Sequence, residues 1–318
     1  MKKLGMAVWM GAAALLCAGL FGAEQGFAQE KAGQGQAIVT ILPKHDGPAA
    51  GNVSAQDMKV KVNGKEATVG KFVALTGAEN PVELVVLIDG SARTSLAQQL
   101  DEIAHFLKGL PPNTKAGVAY MQNGAAVFAG PLTDDHAQVA KELHIPNGIP
   151  GGNASPYFCL SDLAKRWPSQ DRTARREVVM ITDGVDEYNR RYDPEDPYVT
   201  ASMNDATRAG LVVYSIYWRD AGRADATAYA NNTGQNLLQE VTQATGGKSF
   251  WEGIGNPVSF EPYLTELGKR LENQYELSFT IPFNGKSQVE TMKLNFKAPG
   301  MDVSSPQQVF VGGQPVQD

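Results

Sequence analysis

Three short stretches concentrate oxygen-bearing side chains: Asp89-Gly90-Ser91-Ala92-Arg93-Thr94-Ser95, Gly151-Gly152-Asn153-Ala154-Ser155 and Thr182-Asp183-Gly184. Carboxylates and hydroxyls converging from separate loops are what a hard divalent cation requires: Mg²⁺ first, with Ca²⁺ or Mn²⁺ as alternatives. Arg93 works against such a site, because a guanidinium carries a permanent positive charge and no lone pair. It would pair with Asp89 or Asp183 and neutralise the acidic pocket itself. Taken alone, Asp89-Gly90-Ser91 also reads as a strand-to-helix turn, with the serine or Thr94 capping a helix from Ser95.

Catalytic motifs are missing from the sequence. There is no Gly-x-Ser-x-Gly elbow, no His-Glu-x-x-His pair, no phosphate loop and no complete Gly-x-Gly-x-x-Gly. His45, His105, His136 and His144 show no ligand-like spacing, so an enzyme is not expected. Cys159, between Phe158 and Leu160, reads as a small buried hydrophobe. After Asp183 comes an acidic stretch, 186–198, where Asp186, Glu187, Asp193, Glu195 and Asp196 interleave with Arg190, Arg191 and three tyrosines. It reads as a solvated loop or as a recognition surface beside the binding edge.

The elements that must position these loops follow from hydrophobic period. Val82–Ile88, Glu177–Thr182 and Leu211–Trp218 are near-continuous apolar runs, suited to strands buried on both faces, and the first two stop at Asp-Gly. Leu96, Leu100, Ile103, Leu107 and Leu110 share one helical face, predicting a helix over 95–110. Further helices are expected over 134–143, 157–167, 235–244 and 258–272, and a strand pair around Asn123-Gly124. Strands alternating with helices over 81–272 predict an α/β fold, a doubly wound and mostly parallel sheet with helices on both faces. Its ligands would bind at the carboxyl ends of the strands, where Asp89 and Asp183 lie. The flanks, 29–80 and 273–318, contain only short strands and predict a small β-rich domain built from both ends.

Asp89-x-Ser91, a second hydroxyl-bearing loop, Asp183 on a third, and Thr245-Gly246-Gly247 before a last strand resemble the von Willebrand factor type A domain and its metal-ion-dependent adhesion site. With Ser54-Ala55-Gln56-Asp57, Asn63-Gly64 and Gln274-Tyr275-Glu276-Leu277 in the flanks, nearly all of the chain is similar to acidobacterial secreted proteins related to that domain. The resemblance implies Asp89, Ser91, Ser155 and Asp183 as metal ligands, and recognition in which a partner's carboxylate completes the shell. Arg93 departs from the motif's second serine, and Ser155 or Asn153 stands where a threonine is usual.

Residues 1–28 read as a signal peptide: Lys2 and Lys3, an apolar run from Leu4 to Gly22, and cleavage after Ala28. A secreted or periplasmic protein with no membrane span after cleavage is expected. The 318 residues carry a formal charge of -6, which disfavours nucleic acid and anionic lipid. The expected function is non-enzymatic protein binding, with a metal-independent structural or envelope-assembly role as the alternative.

Overall fold

In the computed structural model the described residues are 32–44, 54–149, 152–189, 191, 193, 195–219, 227–253, 255–283, 285–296 and 298–313. The expected leader (1–28), His45 and the side chains of Arg93 and Thr94 lie outside them.

The flanks do more than pair. They supply β1 (Ala32–Pro43), β2 (Met58–Val62), β3 (Lys65–Ala74), and later β10 to β13. Between them run β4 (Val82–Asp89), α1 (Leu100–Lys108), β5 (Thr114–Gln122), β6 (Ala125–Phe128), α2 (His136–Glu142) and α3 (Pro156–Lys165). Then come β7 (Arg175–Thr182), α4 (Pro197–Arg208), β8 (Leu211–Tyr217), α5 (Ala228–Thr245), β9 (Ser249–Phe250) and α6 (Glu261–Glu272). The closing flank is β10 (Gln274–Pro282), β11 (Gln288–Phe296), β12 (Met301–Ser304) and β13 (Gln308–Gly313).

This corrects the doubly wound α/β expectation with its small β appendage. The flank strands run β10-β3-β2-β11-β13-β1, and β1 pairs back onto β10, closing a six-stranded antiparallel barrel that carries β12 on β1. Closure rests on one long register, Ala32 opposite Pro282 through Thr40 opposite Gln274. It removes the open edges that a small sheet would expose. Val39, Ile41, Val60, Val62, Leu277 and Phe279 fill the interior as a core in its own right. The second sheet is mixed, in the order β6-β5-β4-β7-β8-β9, with β6 antiparallel on β5. The chain is therefore a closed barrel combined with a mixed sheet, and the barrel's sheet holds the larger number of strands.

Every residue of β4 and β8 is buried, which accounts for their near-continuous apolar runs. Leu84, Val86 and Ile88 pack with α1 and α6 on one side, and Val85 and Leu87 pack with α3 and α5 on the other. The turn between β5 and β6 places Asn123 at φ 47° and Gly124 at φ 75°, the left-handed pair that a tight hairpin demands.

Two local expectations also change. Residues 90–99 wind as a 3-10 helix and only Leu100–Lys108 is α-helical, because the Asp89 side chain accepts the Ser91 N–H and tightens the turn. The acidic stretch is less of a loop than expected. Asp196 caps α4, accepting the N–H groups of Tyr198 at 2.8 Å and Val199 at 3.1 Å, with Pro197 in the first turn.

Candidate functional site at the carboxyl edge of the mixed sheet

β4 and β7 lie side by side in parallel, Ile88 opposite Ile181, so Asp89 and Thr182-Asp183 leave the sheet together. The second loop reaches them because Gly148 N–H donates to the Gly90 carbonyl and Asn123 and Gly124 N–H donate to the carbonyls of Gly152 and Asn153.

Asp89 is the hub. Its Oδ1 accepts from Ser91 N–H at 2.9 Å and Ser91 Oγ–H at 2.7 Å, while Oδ2 accepts from Asn153 Nδ2 at 2.8 Å and Thr182 Oγ1 at 2.7 Å. One carboxylate thus ties together the ends of β4 and β7 and the second loop. Burial pushes its carboxyl up, and the bonds from Ser91, Thr182 and Asn153 pull it part of the way back. Asp183, also buried, accepts Val185 N–H at 2.9 Å.

Of the four expected ligands, Asp89 and Ser91 are in direct contact, and Asp183 stands beside them at the end of β7. Ser155 is fully buried and caps α3 through Tyr157 N–H; its hydroxyl also acts on Asp186. Three residues outside that set belong to the same edge: Asn153, Thr182 and Asp186. Asn153 and Thr182 stand in the oxygen-rich loops, but their donation to Asp89 depends on tertiary contact. Asp186, 1% exposed, sits in what read as a solvated loop. Its carboxyl is pushed up by burial, against N–H donation from Tyr188 and Asn189.

The donor set is all oxygen. Asn153 Oδ1 and Asp186 Oδ2 are buried acceptors with no hydrogen-bond partner among the described residues, so the edge holds lone pairs that a hard cation would use. Among the described residues, no three His, Cys, Asp or Glu side chains converge as a metal group. Hydroxyl and amide oxygens would therefore have to complete any shell. Cys159 supplies no soft ligand: it is fully buried, and burial pushes its thiol far up.

Backbone crossing sets the position of the Asp183 loop. Gly234 of α5 lies directly against the Asp183 carbonyl, and a Cβ there would overlap it. Gly234→Ala should therefore cost more than about 2 kcal/mol in chemical denaturation, although alanine alone would favour the helix by about 1 kcal/mol.

Beside this edge Phe158, Tyr188 and Tyr198 pack together with centroid separations of 5.0 to 5.5 Å, and Tyr188 remains 64% exposed.

No protein-family model matches the chain, and no curated protein does. Among solved structures it is similar to an aerotolerance-related membrane protein from Bacteroides fragilis, with 16% identity, TM-score 0.41, and 60% of this chain and 98% of that one covered. It is also similar to the pilus adhesin SpaC from Lactobacillus rhamnosus GG, with 10% identity and TM-score 0.44, over 86% of this chain and 49% of that one. The SpRpn10 VWA domain aligns at 11% identity and TM-score 0.39 over 59% of this chain and 95% of its own. Likenesses of this size transfer neither a partner nor an activity.

Proposed function

We propose that the chain is a non-enzymatic protein-binding module, secreted or periplasmic, that engages its partner at the carboxyl edge of the mixed sheet. Asp89, Ser91, Ser155 and Asp183 would hold Mg²⁺, with Ca²⁺ or Mn²⁺ as alternatives. The observation that carries this reading is the pair of buried carboxylates, Asp89 and Asp183, leaving adjacent strands together beside Asn153 Oδ1, a buried oxygen with no hydrogen-bond partner among the described residues. A divalent ion there would supply a Lewis-acidic contact for a partner's carboxylate. The chain's own residues orient the site: Asp89 fixes the Ser91 and Thr182 hydroxyls, and Tyr157 O–H donates to the Gly184 carbonyl at 2.7 Å, steadying the Asp183 loop.

A second reading has a specific observation behind it. Four neutral donors already satisfy Asp89, so the edge stands without an ion, as a metal-independent structural or envelope-assembly module requires.

The two readings separate by titration of Mg²⁺ and Mn²⁺ into chelator-treated protein, followed by calorimetry and thermal unfolding. The first expects saturable binding and a rise in Tm through ligand linkage, both abolished in Asp183→Asn. Absence of binding in the wild type would leave the second.

A further inference from the structure

The opposite end of the mixed sheet carries a separate feature. Where the amino ends of β7 and β8 and the last turn of α4 meet the barrel wall formed by β1, β3, β10 and β13, a cleft of about 860 Å³ opens. Its charged lining is Lys71, Arg172, Arg175, Arg176 and Arg208, with Glu276 as the sole carboxylate. In a chain of formal charge -6 this is a local inversion of sign.

Inside the cleft only Glu276 offsets these cations. Glu276 takes Lys71 at 3.3 Å, and Asp205, outside the cleft, takes Arg208 at a loose 3.9 Å. Arg176 lies over the Trp167 ring, and its Nη atoms reach only backbone carbonyls, at 3.3 to 3.5 Å. Arg175 spends Nη1 on the Leu271 carbonyl and Gln274, and the buried Glu177, which does not line the cleft, favours its charge; its buried Nε–H has no hydrogen-bond partner among the described residues. Arg172 is exposed, has no partner among the described residues, and lies near enough to Arg176 to disfavour its charge. Glu83 and Asp171 favour that charge, but neither lines the cleft. Guanidinium groups gathered without intervening carboxylates leave planar donor forks matched to carboxylate and phosphate oxygens.

We propose that this cleft is a binding site for a small polyvalent oxyanion, a ligand carrying at least two carboxylate or phosphate groups, seated between the Arg172, Arg175 and Arg176 guanidiniums and the barrel wall. The volume is within the range of small-ligand sites. The site is independent of the proposed metal edge, because it lies at the other ends of the strands.

The test is calorimetric titration of residues 29–318, using citrate and tripolyphosphate, at low salt and at about 0.3 M salt. Saturable binding of either probe, weakened at least about tenfold by the added salt, is expected. Citrate alone, tripolyphosphate alone or both would identify carboxylate, phosphate or their shared geometry as the recognised group, and each supports the site. Arg172→Ala with Arg208→Ala should abolish binding while leaving the ligand-free Tm nearly unchanged. Glu276→Gln should tighten binding several-fold, and Lys108→Ala, on α1 outside the cleft, should leave it as it is. Failure of both probes to bind at low salt overturns the proposal, as does binding indifferent to the arginine pair and to Glu276.

Discussion

Asp89→Ala should lower the stability of the protein by about 3 to 5 kcal/mol even in chelator, a fall in Tm on the order of 10 °C for a chain of this size. The residue is 2% exposed and receives four hydrogen bonds. Truncation strands the Ser91 N–H, both hydroxyls and the Asn153 amide, all of them buried, and each unmet donor costs about 1 to 3 kcal/mol before relaxation. Asp89→Asn should cost about half as much. One oxygen still accepts from Ser91, and Thr182 can rotate its hydroxyl to accept from the new amide. Chemical denaturation of both variants beside the wild type checks the order. A wild-type-like Asp89→Ala would mean that the ends of β4 and β7 are held by strand pairing alone. The result also governs how metal binding is measured: a destabilised variant loses a Tm shift for two reasons, so the ion must be followed directly, and Asp183→Asn is the cleaner control.

The positions of Asp89 and Asp183 were legible in the sequence because two near-continuous apolar runs suit strands covered on both faces, and both runs stop at Asp-Gly. What the aspartates do there was not legible. Asn153 lies 64 residues from Asp89 and Thr182 lies 93 away, and no local pattern encodes a hydrogen bond across that separation. The barrel escaped for the same reason. Each flank strand has a readable alternation, but closure depends on β1 meeting β10 across most of the chain length. Nor did charge predict burial in the acidic stretch. Asp196 followed by Pro197 is a cap-and-first-turn signal, and it was hidden among neighbours that resemble a solvated loop. The aromatic residues there, Tyr188 and Tyr198, do remain exposed beside Phe158.

Glu177 should make the protein lose stability as pH rises through neutrality. It stands on β7, fully buried, and neither carboxyl oxygen has a hydrogen-bond partner among the described residues. Burial pushes its carboxyl up to about 7, with Arg175 and Gln274 restraining the rise. Tyr214 and Arg270 are the other titratable groups at this junction, where Gln274 at the start of β10 donates to the Tyr214 hydroxyl at 3.2 Å. The sign follows from linkage. The folded value exceeds the ordinary one, so the folded chain holds the proton more tightly. The associated stability is complete below the unfolded carboxyl's range and is lost as pH climbs to about 7. Above that the loss levels off at on the order of 3 kcal/mol. Glu266, whose carboxyl Lys248 and Arg270 hold low despite burial, and Asp162, held low by Arg166, act in the opposite sense and at more acid pH. Denaturant midpoints measured from about pH 5 to pH 8 should therefore fall more steeply in the wild type than in Glu177→Gln, which cannot titrate there; Asp89 and Asp186, also pushed up by burial, act in the same sense and equally in both proteins. The difference between the two curves isolates Glu177 from every other group. If the curves run parallel, Arg175 holds Glu177 ionised throughout, as a buried pair, and the junction between β7 and the barrel is indifferent to pH.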